Sequence, residues 1–503
     1  MVFIVSKDGF MANVMAQKRY ETGINGLDSI LGGGFPENRL YLIQGEPGTG
    51  KTTMAFQYLI EGLKIGQTCL YISFSESREE LETVAASHGW DISKLNMLEL
   101  GSIEDQLKPE SQNTVFYPSE VEMNQTTSVL YSTVEKLKPH RIVFDSISEM
   151  RMLAESSLRY RRQMLALKQF FAKLHCTVLM LDDLTTSPKD LQVQSIVHGV
   201  MNLQKLHPEF GDERRRLNIV KLRGIEYLGG YHDYIIKRGG IEVFPRMVSS
   251  EFEVKEKNTK FSSGISELDK LLGGGLHAGT STLFLGPAGT GKSSLALQYA
   301  FAAAERGEKA IVFAFEENLE TILMRSRSIG MDIKKHLDSG MMKISKIDPA
   351  QLSPGEFADR IKRAVLNDNF KIVSIDSLNG YLHAMPQEQF LTLQLHELLA
   401  FLSNQGVATL MVLAQQGMMG HMMNTPIDLT YLADTVVITR YFEAAGSVKK
   451  AVSVIKHRSG LHETTIREFS FSAKGLQVGE PLTQFKGVLT GVPEFIGKEK
   501  GLI

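Results

Sequence analysis

Two short stretches of this chain are built to hold phosphate. "GEPGTGKT" at 45–52 and "GPAGTGKS" at 286–293 both satisfy GxxxxGK[ST], each after an apolar run and before a helical pattern. In such a loop the glycines turn backbone N–H groups inward around phosphate oxygens. The lysine reaches the terminal phosphates, the Thr or Ser hydroxyl takes Mg2+, and the following helix N-terminus adds its dipole. The first cradle comprises Gly45, Gly48, Thr49, Gly50, Lys51, Thr52 and Thr53; the second comprises Gly286, Gly289, Thr290, Gly291, Lys292, Ser293 and Ser294. ATP with Mg2+ is the expected ligand of both.

Two further sets of carboxylates fit that chemistry. Asp145 and Asp376 each close an apolar run and precede a serine, where a second Mg2+-holding group should stand beside Thr52 and Ser293. Phosphoryl transfer also needs a carboxylate to orient or deprotonate the nucleophile. "IVFAFEENLE" offers Glu316 and Glu317 after the strand that follows the second cradle; the first half reads "LYISFSESREE", aligning Ser75 and Glu76 with them. If the strand continues to that point, only one of each pair faces the nucleotide. If the first position is the base, the first half lacks it; if Glu76 swings in, the first half still hydrolyses.

These groups recur because the chain is written twice. "TGINGLDSILGGGF" answers "SSGISELDKLLGGGL", and Gly23/Gly264, Lys51/Lys292 and Asp91/Asp332 stand at one constant offset. Apolar runs alternate with longer helical patterns in each half, which predicts α/β domains with a mostly parallel sheet flanked by helices. The expected layout is an N-terminal extension at 1–19, a first domain at 20–248, a charged linker at 249–260, a second domain at 261–481 and a short tail at 482–503.

Composition narrows the function classes. Lys plus Arg (55) nearly balances Asp plus Glu (57), so no basic field recruits nucleic acid. No run approaches the roughly 20 apolar residues of a membrane span, and Cys69 and Cys176 lie apart in apolar stretches, as buried thiols of a reducing, cytoplasmic compartment would. "DERRRL" at 212–217 reads as a basic loop, the region 156–174 as a solvated helix face, and the Met-rich "GMMGHMM" at 417–423 as packing rather than a metal site.

The doubled P-loop preceded by "GI..LD.LLGGG", the "EE" strand end, "GWD" or "GMD" after it and "K.R" near each domain's end resemble the KaiC family of circadian-clock ATPases and autokinases. The resemblance covers about residues 20 to 480 and implies two tandem RecA-like P-loop NTPase domains. It implies a double-ring homohexamer with ATP between subunits, in which Lys221/Arg223 and Lys456/Arg458 reach a neighbour's phosphates. It also implies that the second domain, with Glu316 as base and Glu317 in support, phosphorylates its own chain on the hydroxyl pair before "DT", here Thr430 and Tyr431, with Thr430 as acceptor and Thr425 nearby. A KaiB-like or signalling protein is the partner so implied. Two other readings compete: a RecA- or RadA-type DNA-binding recombination factor, and an ATP-toggled assembly switch with little turnover.

Overall fold

The computed structural model describes residues 18–100, 118–154, 156–183, 192–208, 211–255, 259–383, 391–415, 417, 429–490 and 492–496. The chain divides into two compact units, Met1–Arg246 and Met247–Ile503.

In the first unit, β1 (Leu40–Gly45) leads through the P-loop into α1 (Lys51–Lys64), followed by β2 (Cys69–Ser73), α2 (Arg78–Ser87), β3 (Asn96–Glu99) and α3 (Pro118–Leu137). Then come β4 (Arg141–Asp145), α4 (Ser157–Lys173), β5 (Thr177–Asp183), β6 (Gly199–Leu206), β7 (Arg214–Leu222), β8 (Tyr231–Lys237) and β9 (Gly240–Phe244). The sheet order is β9-β8-β7-β6-β1-β5-β4-β2-β3. β6 through β3 are parallel and the β6–β9 end is antiparallel.

The second unit repeats this strand for strand. It runs β10 (Ser281–Pro287), α5 (Lys292–Glu305), β11 (Ala310–Ala314), α6 (Leu319–Ser328), β12 (Met342–Lys346), α7 (Pro354–Leu366), β13 (Ile372–Asp376), α8 (Leu391–Asn404), β14 (Ala408–Gln415), β15 (Thr435–Ala444), β16 (Ser447–His457), β17 (Arg467–Ser472) and β18 (Gly475–Pro481). Its order, β12-β11-β13-β14-β10-β15-β16-β17-β18, is the same. The central strands are apolar on both faces, as a sheet covered on both sides requires: every residue of Leu40–Gly45 and of Ser281–Pro287 is buried. Separate apolar clusters line the two faces of each sheet.

Two expectations change, and the condition set on a third, that the strand continues to the carboxylates, is not met. The segment Met247–Lys255 is part of the second unit: the Ser249 N–H donates to Glu397 on α8, Lys255 N to the Asn404 carbonyl, and Phe252 meets Phe401 edge-on at 4.6 Å. Arg214–Arg216 are not a loop but open β7, where Arg215 pairs with Glu213 and Arg216 lies over the Tyr231 ring at 4.3 Å. β2 and β11 stop at Ser73 and Ala314, so strand alternation does not govern the carboxylates that follow. The helix face read at 156–174 is α4, burying Tyr160, Met164, Leu167 and Phe171, and both cysteines are buried free thiols. Thr425 and the Met-rich stretch, apart from Gly417, lie outside the described residues.

Candidate nucleotide-binding sites

Each P-loop joins the C-terminal end of a central strand to a helix that starts on the motif lysine. The turn demands glycine: Gly50 and Gly291, which precede the helices, have φ 91 and 101. A Cβ there would strike Ile236 and Phe471, and the left-handed region is where glycine carries no steric penalty. The first N–H groups of α1 and α5 have no intrahelical partner and face the loop.

In the second unit the predicted groups converge. A cavity of about 480 Å3 is lined by Gly289, Gly291, Lys292, Ser293 and Ser294 from the loop and α5, by Glu316 and Glu317 after β11, and by Asp376 at the end of β13. Ser293 Oγ donates to Asp376 Oδ1 at 3.0 Å, and Lys292 Nζ donates to the Pro287 carbonyl at 2.7 Å. Thr290 holds the loop, bonding Pro287 O at 2.8 Å and Thr439 Oγ1 at 2.7 Å. Both glutamates reach the site. Glu316 accepts from Ser377 Oγ at 2.6 Å, and Glu317 pairs with Arg325.

The electrostatics there are poised for a charged ligand. Burial pushes Lys292 down to about 8, with Arg440 adding to the effect and Asp376 and Glu316 opposing it. Burial likewise pushes Asp376 up to about 6, against the Ser293 hydrogen bond and Arg325. Each buried charge is only partly compensated. A phosphate would relieve the first and a divalent cation the second, so the donor set fits a Mg2+-nucleotide: Ser293 and Asp376 would hold the metal.

The first unit has the same frame with different neighbours. Thr52 Oγ1 lies 3.3 Å from Asp145 Oδ2, but the Tyr71 hydroxyl also donates to that oxygen, at 2.5 Å. Lys51 Nζ donates to the Gly45 and Glu46 carbonyls at 2.8 and 3.0 Å and ion-pairs with Asp183 at 2.7 Å. Burial, followed by Asp145, Glu80 and Asp183, holds the Glu76 carboxyl above its usual range. Ser75 is exposed at the position of Glu316. The Thr49 carbonyl is pinned by Tyr234 at 2.6 Å.

The remaining predicted residues form a separate cluster in each unit. Lys456 Nζ donates to the carbonyls of Thr430 and Ala433, both at 2.7 Å, while Arg458 donates to Tyr431 O at 3.2 Å. Lys221 likewise donates to Gln194 O, and Arg223 to Ser195 O at 2.8 Å. Sheet register equates these segments, since Gly199 pairs beside Tyr41 as Thr435 does beside Thr282. Thr430 therefore corresponds to Gln194, and Tyr431 to Ser195. None of Thr430, Tyr431, Lys456 and Arg458 lines the Lys292 cavity of its own unit.

Sequence reasoning missed Arg325, Ser377, Tyr71, Asp183 and the cavity-lining pair Lys450 and Phe471. Ser377 was visible as the serine after Asp376. The other contacts depend on helix phase and strand register.

A doubled α/β unit with a phosphate loop at the C-terminal edge of its central strand is a tandem RecA-like P-loop NTPase. A family model described as "ATPase: KaiC" matches residues 20–248 and again 261–483. The chain belongs to the KaiC family. It is 26% identical over 487 residues to the circadian clock protein KaiC3 of Synechocystis sp., covering 96% of each chain. It is also 26% identical over 480 residues to the circadian clock oscillator protein KaiC of Synechococcus elongatus, covering 94% of this chain and 92% of that one. Among the described residues no helix is long and apolar enough to cross a membrane.

Proposed function

We propose that the chain is an ATP-hydrolysing enzyme and serine/threonine autokinase that binds MgATP at both P-loops between subunits of a homohexamer. The observation that carries this reading is the second-unit cavity, where Lys292, Ser293, Asp376, Glu316 and Glu317 line one space. Bound Mg2+ would supply charge neutralisation at the transferring phosphoryl group.

The chain's own residues do the rest. Lys292 and the first N–H groups of α5 bind and orient the phosphates. Ser293 and Asp376 keep the metal position fixed, and Ser377 aims Glu316 by its hydrogen bond. Glu316 takes the proton of the attacking hydroxyl. Arg325 holds Glu317 beside it and limits the repulsion between the two carboxylates. Thr430 is the acceptor, its backbone carbonyl fixed by Lys456. Because Thr430 does not line its own cavity, the phosphoryl group comes from a neighbouring subunit's site. That favours the ring and gives Lys456 and Arg458, and likewise Lys221 and Arg223, a place at the subunit boundary. Location in the cytoplasm and a KaiB-like or signalling partner belong to the same reading.

Incubating the protein with MgATP beside a Lys292→Ala variant, then mapping phosphate by peptide mass spectrometry over residues 417–435, tests it. Phosphate on Thr430 that disappears in the variant is the expected result. Continued ATP hydrolysis with no phosphate on this segment would reduce the protein to a ring ATPase.

A further inference from the structure

Among the differences between the two sites, one bears directly on the P-loop lysine. Asp183 closes β5 beside Gly45, and Ala414 occupies the same register on β14 beside Gly286. The backbone N–H groups confirm the correspondence. That of Asp183 donates to Ser148 Oγ at 3.0 Å and that of Ala414 to Asn379 Oδ1 at 2.6 Å, each acceptor standing three residues after the strand-end aspartate, Asp145 or Asp376. A carboxylate in the first unit thus stands where the second has a methyl group facing its cavity.

That carboxylate is spent on the P-loop lysine. An ammonium has three N–H donors, and Lys51 is matched by three acceptors: Gly45 O at 2.8 Å, Glu46 O at 3.0 Å and Asp183 Oδ1 at 2.7 Å. Lys292 donates to Pro287 O, and among the described residues it makes no ion pair. Lys51 is buried, with 8% of its side chain exposed, and Asp183 is half-buried, with 34% exposed, so water screens the pair only from the Asp183 side and the attraction is stronger than between two surface groups. A phosphate oxygen approaching Lys51 must take a donor from a carboxylate, then sit beside that displaced negative charge. At Lys292 no carboxylate holds a donor, and the nearby Asp376 and Glu316 act on the lysine without an ion pair to it among the described residues.

We propose that Asp183 is an internal competitor for the terminal phosphate at the first P-loop, making the first domain the weaker and more readily emptied of the two ATP sites. The proposal rests on the reading of both P-loops as nucleotide sites. It also assigns a specificity role: only a phosphate chain that engages Lys51 strongly enough to displace the carboxylate fills the first site.

The test uses the full chain carrying Lys292→Ala, so that a fluorescent ATP analogue with Mg2+ reports the first site. Adding Asp183→Asn, which keeps the side-chain shape and removes the charge, should tighten binding about tenfold. The reciprocal change, Ala414→Asp in a Lys51→Ala chain, should weaken the second site by a similar factor. Gel filtration and circular dichroism verify that each variant is folded. An unchanged or weaker affinity in Asp183→Asn overturns the competition. If turnover falls while affinity is unchanged, Asp183 is instead the carboxylate that replaces the one missing at Ser75. If the Lys292→Ala chain binds no nucleotide with or without Asp183→Asn, the nucleotide reading of the first site fails, and this proposal with it.

Discussion

Lys292 meets one backbone carbonyl, and Asp376 accepts from Ser293; Lys51 is held by a carboxylate and two carbonyls, and Asp145 accepts from a phenol as well as from Thr52. The two domains agree strand for strand, yet the second leaves Lys292 and Asp376 with few internal partners while the first gives Lys51 and Asp145 more of them, although burial still holds Asp145 above its usual range. Buried groups without full compensation are what a catalytic site uses to bind charge. Groups satisfied from within bind it less tightly. The comparison teaches that a duplicated fold can be preserved while its two sites are tuned apart by side chains on strands next to the P-loop rather than in it.

The widest predicted gap between the domains lies in the base. Glu316→Gln should lower phosphate incorporation on Thr430 by at least ~100-fold, the usual scale for losing a positioned general base. Glu76→Gln should change total ATP turnover by less than about twofold. Quantitative phosphopeptide analysis and a phosphate-release assay read the two effects. Loss of most turnover in Glu76→Gln would invert the comparison and make the first domain the motor.

The second domain should also carry a pH signature. Asp376 must be ionised to hold a metal and Lys292 protonated to hold phosphate, with free-site values pushed to about 6 and about 8. Incorporation at subsaturating ATP should therefore fall about tenfold per pH unit below the first and above the second. Linkage gives a matching stability statement. A carboxyl raised from 3.8 contributes stability present at low pH and lost as pH rises through about 6. A lysine lowered from 10.5 contributes stability present at high pH and lost as pH falls through about 8. Both contributions are absent between those values, so the Tm gain on adding MgATP should be greatest there. A gain that is flat with pH would show that neither charge is under-compensated.

How far this was legible from sequence depends on whether a feature is local or long-range. The P-loops, the repeat and the strand-end aspartates are contiguous signals, and their residues assemble as read. The strand-alternation argument for Glu316 and Glu317 was not secure, because strand ends are set by sheet pairing: β11 stops at Ala314, and the backbone beyond it brings both carboxylates to the cavity. The run "CTVLMLDD" displayed Asp183 in plain sight, but only the register of β5 against β1 puts it beside Lys51. The basic stretch at 212–217 misled for a related reason, Arg216 being bonded to Gln204 on the neighbouring strand and Arg215 paired with Glu213 just before it.

Smaller effects sharpen the comparison. Ser377→Ala removes the hydrogen bond that aims Glu316, a loss of about 1 kcal/mol, so incorporation should fall roughly fivefold; rescue by Ser377→Thr would mark the hydroxyl as a positioning group rather than a packing one.

The smallest expected change concerns Tyr71. Its hydroxyl shares Asp145 Oδ2 with Thr52, whereas β11 carries Val312 in that register. A carboxylate oxygen donated to by a phenol is a poorer metal ligand, since the hydrogen bond must weaken as the cation draws electron density. Tyr71→Phe removes the donor and keeps the ring that stacks on Phe56 at 5.2 Å, so the fold should be retained. The midpoint for Mg2+ in nucleotide binding by the Lys292→Ala chain should drop about threefold, on the scale of one hydrogen bond lost from a charged acceptor and partly replaced. A midpoint that rises instead would mean that Tyr71 orients Asp145 toward the metal, and the second domain's valine would then be the departure needing a cause.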